Sequence, residues 1–148
     1  MLTIDGVTIT PLKHISVPDG DVFHVMKNSD QGYNGFGEAY FSTIKSGSIK
    51  AWKRHNEMTL NIVVPIGRIR FVIYDDRDYS ITCGMFYEVT LSRENYYRLT
   101  VPPLVWLGFQ CVGNKTAILL NVANIPHNPE EAKKKEIEEI IFDWSLKK

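Results

Sequence analysis

Apolar residues along this chain fall mostly in short runs, and turn residues separate them. Glu38–Ile44, Leu60–Val64, Ile69–Tyr74, Met85–Leu91, Tyr97–Val101 and Thr116–Val122 are rich in β-branched and aromatic side chains. Between them stand turn signals: Pro18-Asp19-Gly20, Gly32, Gly35, Gly37, Ser46-Gly47, Gly67, Gly84, Pro102-Pro103 and Gly113-Asn114. Short strands at a spacing of roughly 8–12 residues predict an all-β sandwich or barrel. The C-terminal stretch reads differently. Asn128-Pro129-Glu130-Glu131 has the chemistry of a helix start, with a capping Asn, Pro at the first helical position and acids at the positive end. Ile137, Ile140, Ile141 and Trp144 then recur at helical spacing as one apolar stripe, with Lys133–Lys135, Glu136, Glu138 and Glu139 as its solvated face. The pattern predicts an α-helix over about residues 129–144, packed on a barrel formed by about residues 1–127.

Composition narrows the class. The chain has 148 residues, 44% hydrophobic and 23% charged, which suits one globular domain over residues 1–148. Seventeen basic residues balance 17 acidic ones, so no broad nucleic-acid-binding face is expected. No apolar run is long enough to span a bilayer as a helix. The N-terminal Met-Leu-Thr-Ile-Asp-Gly lacks the pattern of a secretory signal, and Cys83 and Cys111 are expected to be buried, reduced thiols. A cytoplasmic protein without membrane or nucleic-acid partners is the expectation.

The chemistry concentrates on one strand. Gly47-Ser-Ile-Lys50-Ala-Trp-Lys53-Arg54-His55 has the form of a cupin opening, Gly-x5-His-x-His, with Lys53 in place of the first His. Strand alternation puts Ile49, Ala51, Lys53 and His55 on one face and Lys50, Trp52 and Arg54 on the other. The first set is either a pocket-facing pair of titratable groups or the solvated end of an edge strand. A free lysine amine is almost wholly protonated at neutral pH. Lys53 therefore serves as a base only if burial or a nearby cation lowers its pKa. As a permanent cation it holds a phosphate or a carboxylate such as Glu57. His55 is a candidate general base, against the structural role of a hydrogen-bonded histidine. His127, before the predicted helix, either approaches the barrel mouth or sits in a loop. Tyr40, Tyr74 and Tyr87 each offer a phenol if they face the pocket, against plain strand packing. Metal cupins need two His on this strand, a Glu shortly after and a third His on a later hairpin. Only His55 remains of the first pair and Leu107 replaces the third, so no metal and no cofactor is expected.

Several segments in order resemble the dTDP-4-dehydrorhamnose 3,5-epimerases, metal-independent cupins that act on 4-keto nucleotide sugars. Asp19-Gly20-Asp21-Val22-Phe23-His24 is similar to an early Arg-Gly-Asp-type segment. Gly37 to Ser42, with Gly47-x-Ile49-Lys50-Ala51-Trp52, resembles two successive family strands. Gly67 followed by Val72 to Arg77, with Asp76, resembles a Gly-to-Asp-x-Arg strand. Leu91-Ser92-x-Glu94-Asn95 matches a recurring turn. Val101 to Phe109 resembles the hairpin Ile-Pro-x-Gly-x-x-His-Gly-Phe. The resemblance implies a cupin jelly roll that forms a homodimer and binds a nucleotide-diphosphate sugar in the barrel mouth. It also implies a role in deoxysugar synthesis for O-antigen or another surface polysaccharide. The family uses a His as base, oriented by an Asp, with a Tyr on the other side of the sugar ring. Here the base position holds Lys53, the Tyr position falls near Leu120, and the hairpin His falls on Leu107. The expected site is therefore Lys53 and His55 as catalytic candidates, with Lys50, Arg54, Tyr40, Asp76 and His127 in substrate binding. The expected activity is a lost or altered epimerisation. The alternatives are a non-catalytic sugar-nucleotide-binding cupin and a 3,4-ketoisomerase.

Overall fold

A computed structural model describes residues 3–146, and among them twelve strands form two five-stranded antiparallel sheets and a two-stranded ribbon. In chain order the strands are β1 (Thr8–Pro11), β2 (His14–Ile15), β3 (Val22–Phe23), β4 (Glu38–Ile44), β5 (Ile49–His55), β6 (Leu60–Ile66), β7 (Ile69–Tyr74), β8 (Phe86–Leu91), β9 (Tyr97–Val101), β10 (Trp106–Cys111), β11 (Ala117–Ala123) and β12 (Ala132–Lys134). The first sheet runs β1-β9-β6-β11-β4 and the second β12-β5-β10-β7-β8, while β2 and β3 make the ribbon. This is the expected all-β jelly roll. From β4 to β12, consecutive strands lie in opposite sheets, as β4 and β5 or β6 and β7 do, except the β7–β8 hairpin, which stays in the second sheet. The chain therefore passes repeatedly between the sheets, and their inner faces fuse into one core.

That core follows from period-two patterning. Ile62, Val64, Phe71, Ile73, Leu99 and Leu119 project inward and are buried. A second, smaller cluster lies on the outer face of the β5 sheet, where Trp52, Val72, Trp106 and Ile140 pack with Phe142 and Trp144. Asp75, at the end of β7, is wholly buried and accepts hydrogen bonds from Arg77, Ser80 and Thr82. The two thiols are free, with Cys111 buried as expected but Cys83 exposed.

The C-terminal helix does not form. Residues 129–146 instead make an extended strap: single 3-10 turns at Pro129–Glu131 and Ile137–Glu139, with β12 paired to β5 between them. The local signal was partly right, because the Asn128 side chain does accept from Glu130 N. The apolar stripe is not helical. Ile140 is 6% exposed and Ile141 91%, while Phe142 and Trp144 are half-buried, so burial in this stretch alternates with period two. The open edge of β5 offers unpaired backbone groups, and satisfying them outweighs a weak helical preference.

Candidate functional site

A pocket of about 630 Å³ opens between the two sheets, a size suited to a small-molecule ligand. Its floor is apolar, built from Met58, Leu60, Ile62, Leu107 and Leu119. Of the residues singled out from sequence, Tyr40, Lys50, Lys53, His55 and His127 line it. Arg54 and Asp76 do not. They lie on the outer face, where the Arg54 guanidinium stacks 5.2 Å from the Trp106 ring and Asp76 accepts from Trp106 Nε1 at 2.9 Å. Both contact Trp106 there, apart from the residues that line the pocket.

Lys50 reaches the pocket because simple alternation fails on β5. Lys50 pairs with Phe109 and Lys53 with Leu107, so Ala51 and Trp52 together oppose the single residue Gly108. This bulge reverses the parity, bringing Lys50 to the side of Lys53 and His55. It also sends Trp52 outward. Gly108 makes room for the bulge: a Cβ there would stand 2.8 Å from Ala51 Cβ and 3.0 Å from the Trp52 ring.

His55 is buried, and its Nδ1 is hydrogen-bonded to Glu131 Oε1. The other oxygen of Glu131 accepts from the backbone N–H groups of Glu57, at 2.9 Å, and Met58, at 3.1 Å. Burial pushes the Glu131 carboxyl up, but the hydrogen bonds from His55, Glu57 and Met58 outweigh it and hold the group below its ordinary value. Glu131 is therefore an ionised acceptor, and the proton in the pair belongs to His55 Nδ1. In the neutral ring Nε2 then carries the lone pair, and it has no hydrogen-bond partner among the described residues.

Two further features complete the site. Lys53 and Lys134 are directly opposite across β5 and β12, both line the pocket, and neither has a carboxylate within 4 Å among the described residues. Like charges facing each other across strands destabilise the pair unless an anion lies between them. On the other sheet, Tyr40 also lines the pocket, and its hydroxyl oxygen accepts from Asn121 Nδ2 at 3.1 Å. Asn121 Oδ1 is held by Asn61 N–H at 3.1 Å, which fixes the amide so that its NH₂ faces the phenol. The hydroxyl hydrogen of Tyr40 is left free to donate.

Sequence reasoning missed Glu131, Lys134 and Asn121. Glu131 looked like a helix-start acid, and nothing local connects it with a histidine 76 positions away. Among the described residues no three or more His, Cys, Asp or Glu side chains gather as metal ligands would.

No family model matches the chain. It is 34% identical over 84 residues to the probable low-salt glycan biosynthesis epimerase Agl13 of Haloferax volcanii, a stretch covering 56% of this chain and 54% of that protein. The match thus spans about half the length of that curated relative. The structure superposes with a TM-score of 0.92 on a dTDP sugar isomerase from Desulfovibrio desulfuricans G20, at 38% identity over 95% of this chain and 92% of that one. It also superposes on the dTDP-4-dehydrorhamnose 3,5-epimerase of Sulfolobus tokodaii, with a TM-score of 0.81, 25% identity, and coverage of 96% and 82%. This chain belongs to the dTDP-4-dehydrorhamnose 3,5-epimerase family.

Lys53 and His55, two residues apart on β5, both line the pocket. Leu107 is part of the apolar floor. Leu120 is not in the pocket. It points outward between Phe41 and Val63, while its neighbours Leu119 and Asn121 face in. Tyr40, on the neighbouring strand β4, lines the pocket.

Proposed function

We propose that this epimerase-family chain is an isomerase of nucleotide-diphosphate 4-keto sugars with an altered rather than a lost site. His55 is the base, Glu131 its orienting carboxylate and Tyr40 the acid on the opposite wall. The buried His55–Glu131 pair, in a pocket where Lys53 and Lys134 face each other without a carboxylate partner among the described residues, carries this reading. The Agl13 name, an epimerase of glycan biosynthesis, supports a place in surface-polysaccharide synthesis. No described helix is long and apolar enough to cross a membrane, in keeping with a cytoplasmic enzyme.

The chemistry follows from the groups present. A C4 ketone acidifies the protons on C3 and C5. His55 Nε2 takes one of them, and the electron pair of the C–H bond moves onto the C4 oxygen as an enolate. Lysine ammonium groups in the pocket lower the energy of that oxyanion. Tyr40 O–H then donates to the opposite face of the same carbon, and Asn121 Nδ2–H stabilises the phenolate left behind. Water takes the proton from the imidazolium and returns one to the phenolate. Lys53 and Lys134 take the diphosphate between them.

A second copy of the chain completes the assembly. The outer face of the β4–β11–β6 region is apolar: Phe41 is 69% exposed and adjoins Leu120, Ile118 and Ile66. A strand that is apolar on both faces, as β11 is, is one built for burial on both. A homodimer through this face predicts that sedimentation of Phe41→Lys shows a monomer while the wild type sediments as a dimer. Wild-type sedimentation as a monomer would refute it.

Proton exchange tests the catalytic proposal. Incubated with a dTDP-4-keto-6-deoxy sugar in deuterium oxide, the protein should place deuterium at C3 or C5. His55→Ala should abolish the label while binding, measured by calorimetry, persists. Binding without any label above the uncatalysed rate would establish the non-catalytic alternative, and a 3-keto product would establish the ketoisomerase.

A further inference from the structure

The strap straddles the edge strand β5, with its functional groups on the pocket side and its anchor on the opposite side. On the pocket side it supplies Glu131 and Lys134, and β12 is registered so that Ala132 faces His55 and Lys134 faces Lys53. Backbone bonds of 3.0 Å in both directions tie Lys135 to Trp52. The chain then passes round the sheet edge. Trp52 Nε1 donates to Ile137 O at 3.3 Å, and the Trp144 ring packs 5.3 Å from that of Trp52. The Trp144 carbonyl accepts from Arg70 at 3.4 Å and Gln110 at 3.2 Å. Its ring reaches the space above Gly108, where a Cβ would stand only 3.1 Å away.

A three-residue edge strand is marginal alone, because its few backbone bonds exchange readily with water. The aromatic anchor supplies the burial that holds it. Trp52, the residue it grips, lies in the bulge beside Lys53 and three residues from His55. We infer that Trp144 is a positioning residue: from the far face of the sheet it holds the strap so that Glu131 keeps His55 in its Nδ1–H tautomer and Lys134 stays opposite Lys53. Its bearing on catalysis rests on the function proposed above; its effect on the His55 ring does not. Because an anion held by Lys53 and Lys134 also bridges β5 and β12, ligand binding and strap docking stabilise one another reciprocally.

The test compares Trp144→Ala and Trp144→Phe with Ile141→Ala, a change at a strap side chain that faces solvent. Ring-nitrogen NMR shifts of His55 are read in the ligand-free protein, together with hydrogen exchange at the Lys135 amide. In the wild type and in Ile141→Ala, Nδ1 should show the shift of a protonated nitrogen and Nε2 that of a bare one. In Trp144→Ala the two shifts should move toward each other as the tautomers mix. Exchange at Lys135 should accelerate about tenfold or more while β7 amides keep their protection. Sugar-nucleotide affinity should fall, and strap protection on ligand addition should be regained only in part. Trp144→Phe should lie between. Wild-type nitrogen shifts and Lys135 protection in Trp144→Ala would overturn the inference. Should that variant not fold, the same wild-type values in Trp144→Phe overturn it. Absence of sugar deuteration in the wild type would sink the catalytic proposal and leave these measurements intact.

Discussion

Replacing Glu131 by Gln changes almost no volume and isolates what the carboxylate does. Three donors converge on it: His55 Nδ1–H and the N–H groups of Glu57 and Met58. A glutamine offers one acceptor oxygen and one NH₂, which must itself find an acceptor. The two backbone donors have no alternative role, so the amide oxygen goes to them and the NH₂ turns to His55. His55 can accept at Nδ1 only by moving its proton to Nε2, the nitrogen that has to be bare to act as a base. In the serine-protease triad, the same carboxylate-to-amide exchange lowers turnover by roughly 10⁴ through the wrong tautomer. A loss of about 10³–10⁴, or about 4–5.5 kcal/mol, is therefore expected here. Each of the three bonds also falls from charge-assisted to neutral strength. At about 1 kcal/mol apiece, stability should drop by up to about 3 kcal/mol. The sign with pH is set by the lowered pKa of Glu131. Its contribution is present above the ordinary carboxylate range and is lost as pH falls through the folded-state value. The stability gap between wild type and variant should thus close in acid. The assay is the rate of sugar deuteration at pH 7, paired with the ring-nitrogen shifts of His55. Deuteration within about threefold of wild type, with Nε2 still bare, would refute the assignment of Glu131 as the group that orients the base.

Tyr40→Phe should keep deuterium incorporation by His55 but lose the inverted product, as read by NMR of the sugar; full epimerisation in this variant would exclude Tyr40 as the acid. Gly108→Ala should cost about 1–3 kcal/mol in urea unfolding, because the new methyl collides with Ala51, Trp52 and Trp144; an unchanged midpoint would contradict the packing of the bulge. Asp75→Asn should cost about 3–5 kcal/mol, since it leaves the Arg77 charge without its buried partner. Burial pushes the Asp75 carboxyl up, but hydrogen bonds from Arg77, Ser80 and Thr82 outweigh it and hold the group far below the carboxylate range. Wild-type stability should therefore decline as pH falls below that range, and the variant's profile there should be flatter. Equal acid slopes in the two proteins would count against the assignment.

The strands were legible because their cues are local. Alternation over five to seven residues and a Gly or Pro at each end are properties of neighbouring positions, and β4, β6, β7, β8, β9 and β11 lie where those cues put them. Lys53 and His55 could be placed on one face for the same reason. The parity of Lys50 could not, because the bulge exists only where Ala51 and Trp52 meet Gly108 of another strand. The strap shows the same limit from the other side. Ile137, Ile140, Ile141 and Trp144 fit a helical stripe as well as they fit any pattern. The free edge of β5 and the aromatic surface behind it decided between helix and extended chain.

By itself, then, the sequence determined an all-β sandwich or barrel and put Lys53 and His55 together on one face of a strand, from side-chain periodicity and turn chemistry that need only adjacent residues. The jelly roll and the family came from the resemblance of several ordered segments to the dTDP-4-dehydrorhamnose 3,5-epimerases. The tertiary structure alone decided that Arg54 and Asp76 lie outside the pocket, that Lys50 and Lys134 line it with Lys53, that Tyr40 lines it while Leu120 does not, and that Glu131 is hydrogen-bonded to His55. Each of these depends on register across strands or on pairing at a sheet edge. Such choices are set by which distant backbone and buried groups are left to satisfy, and they have no short-range signature.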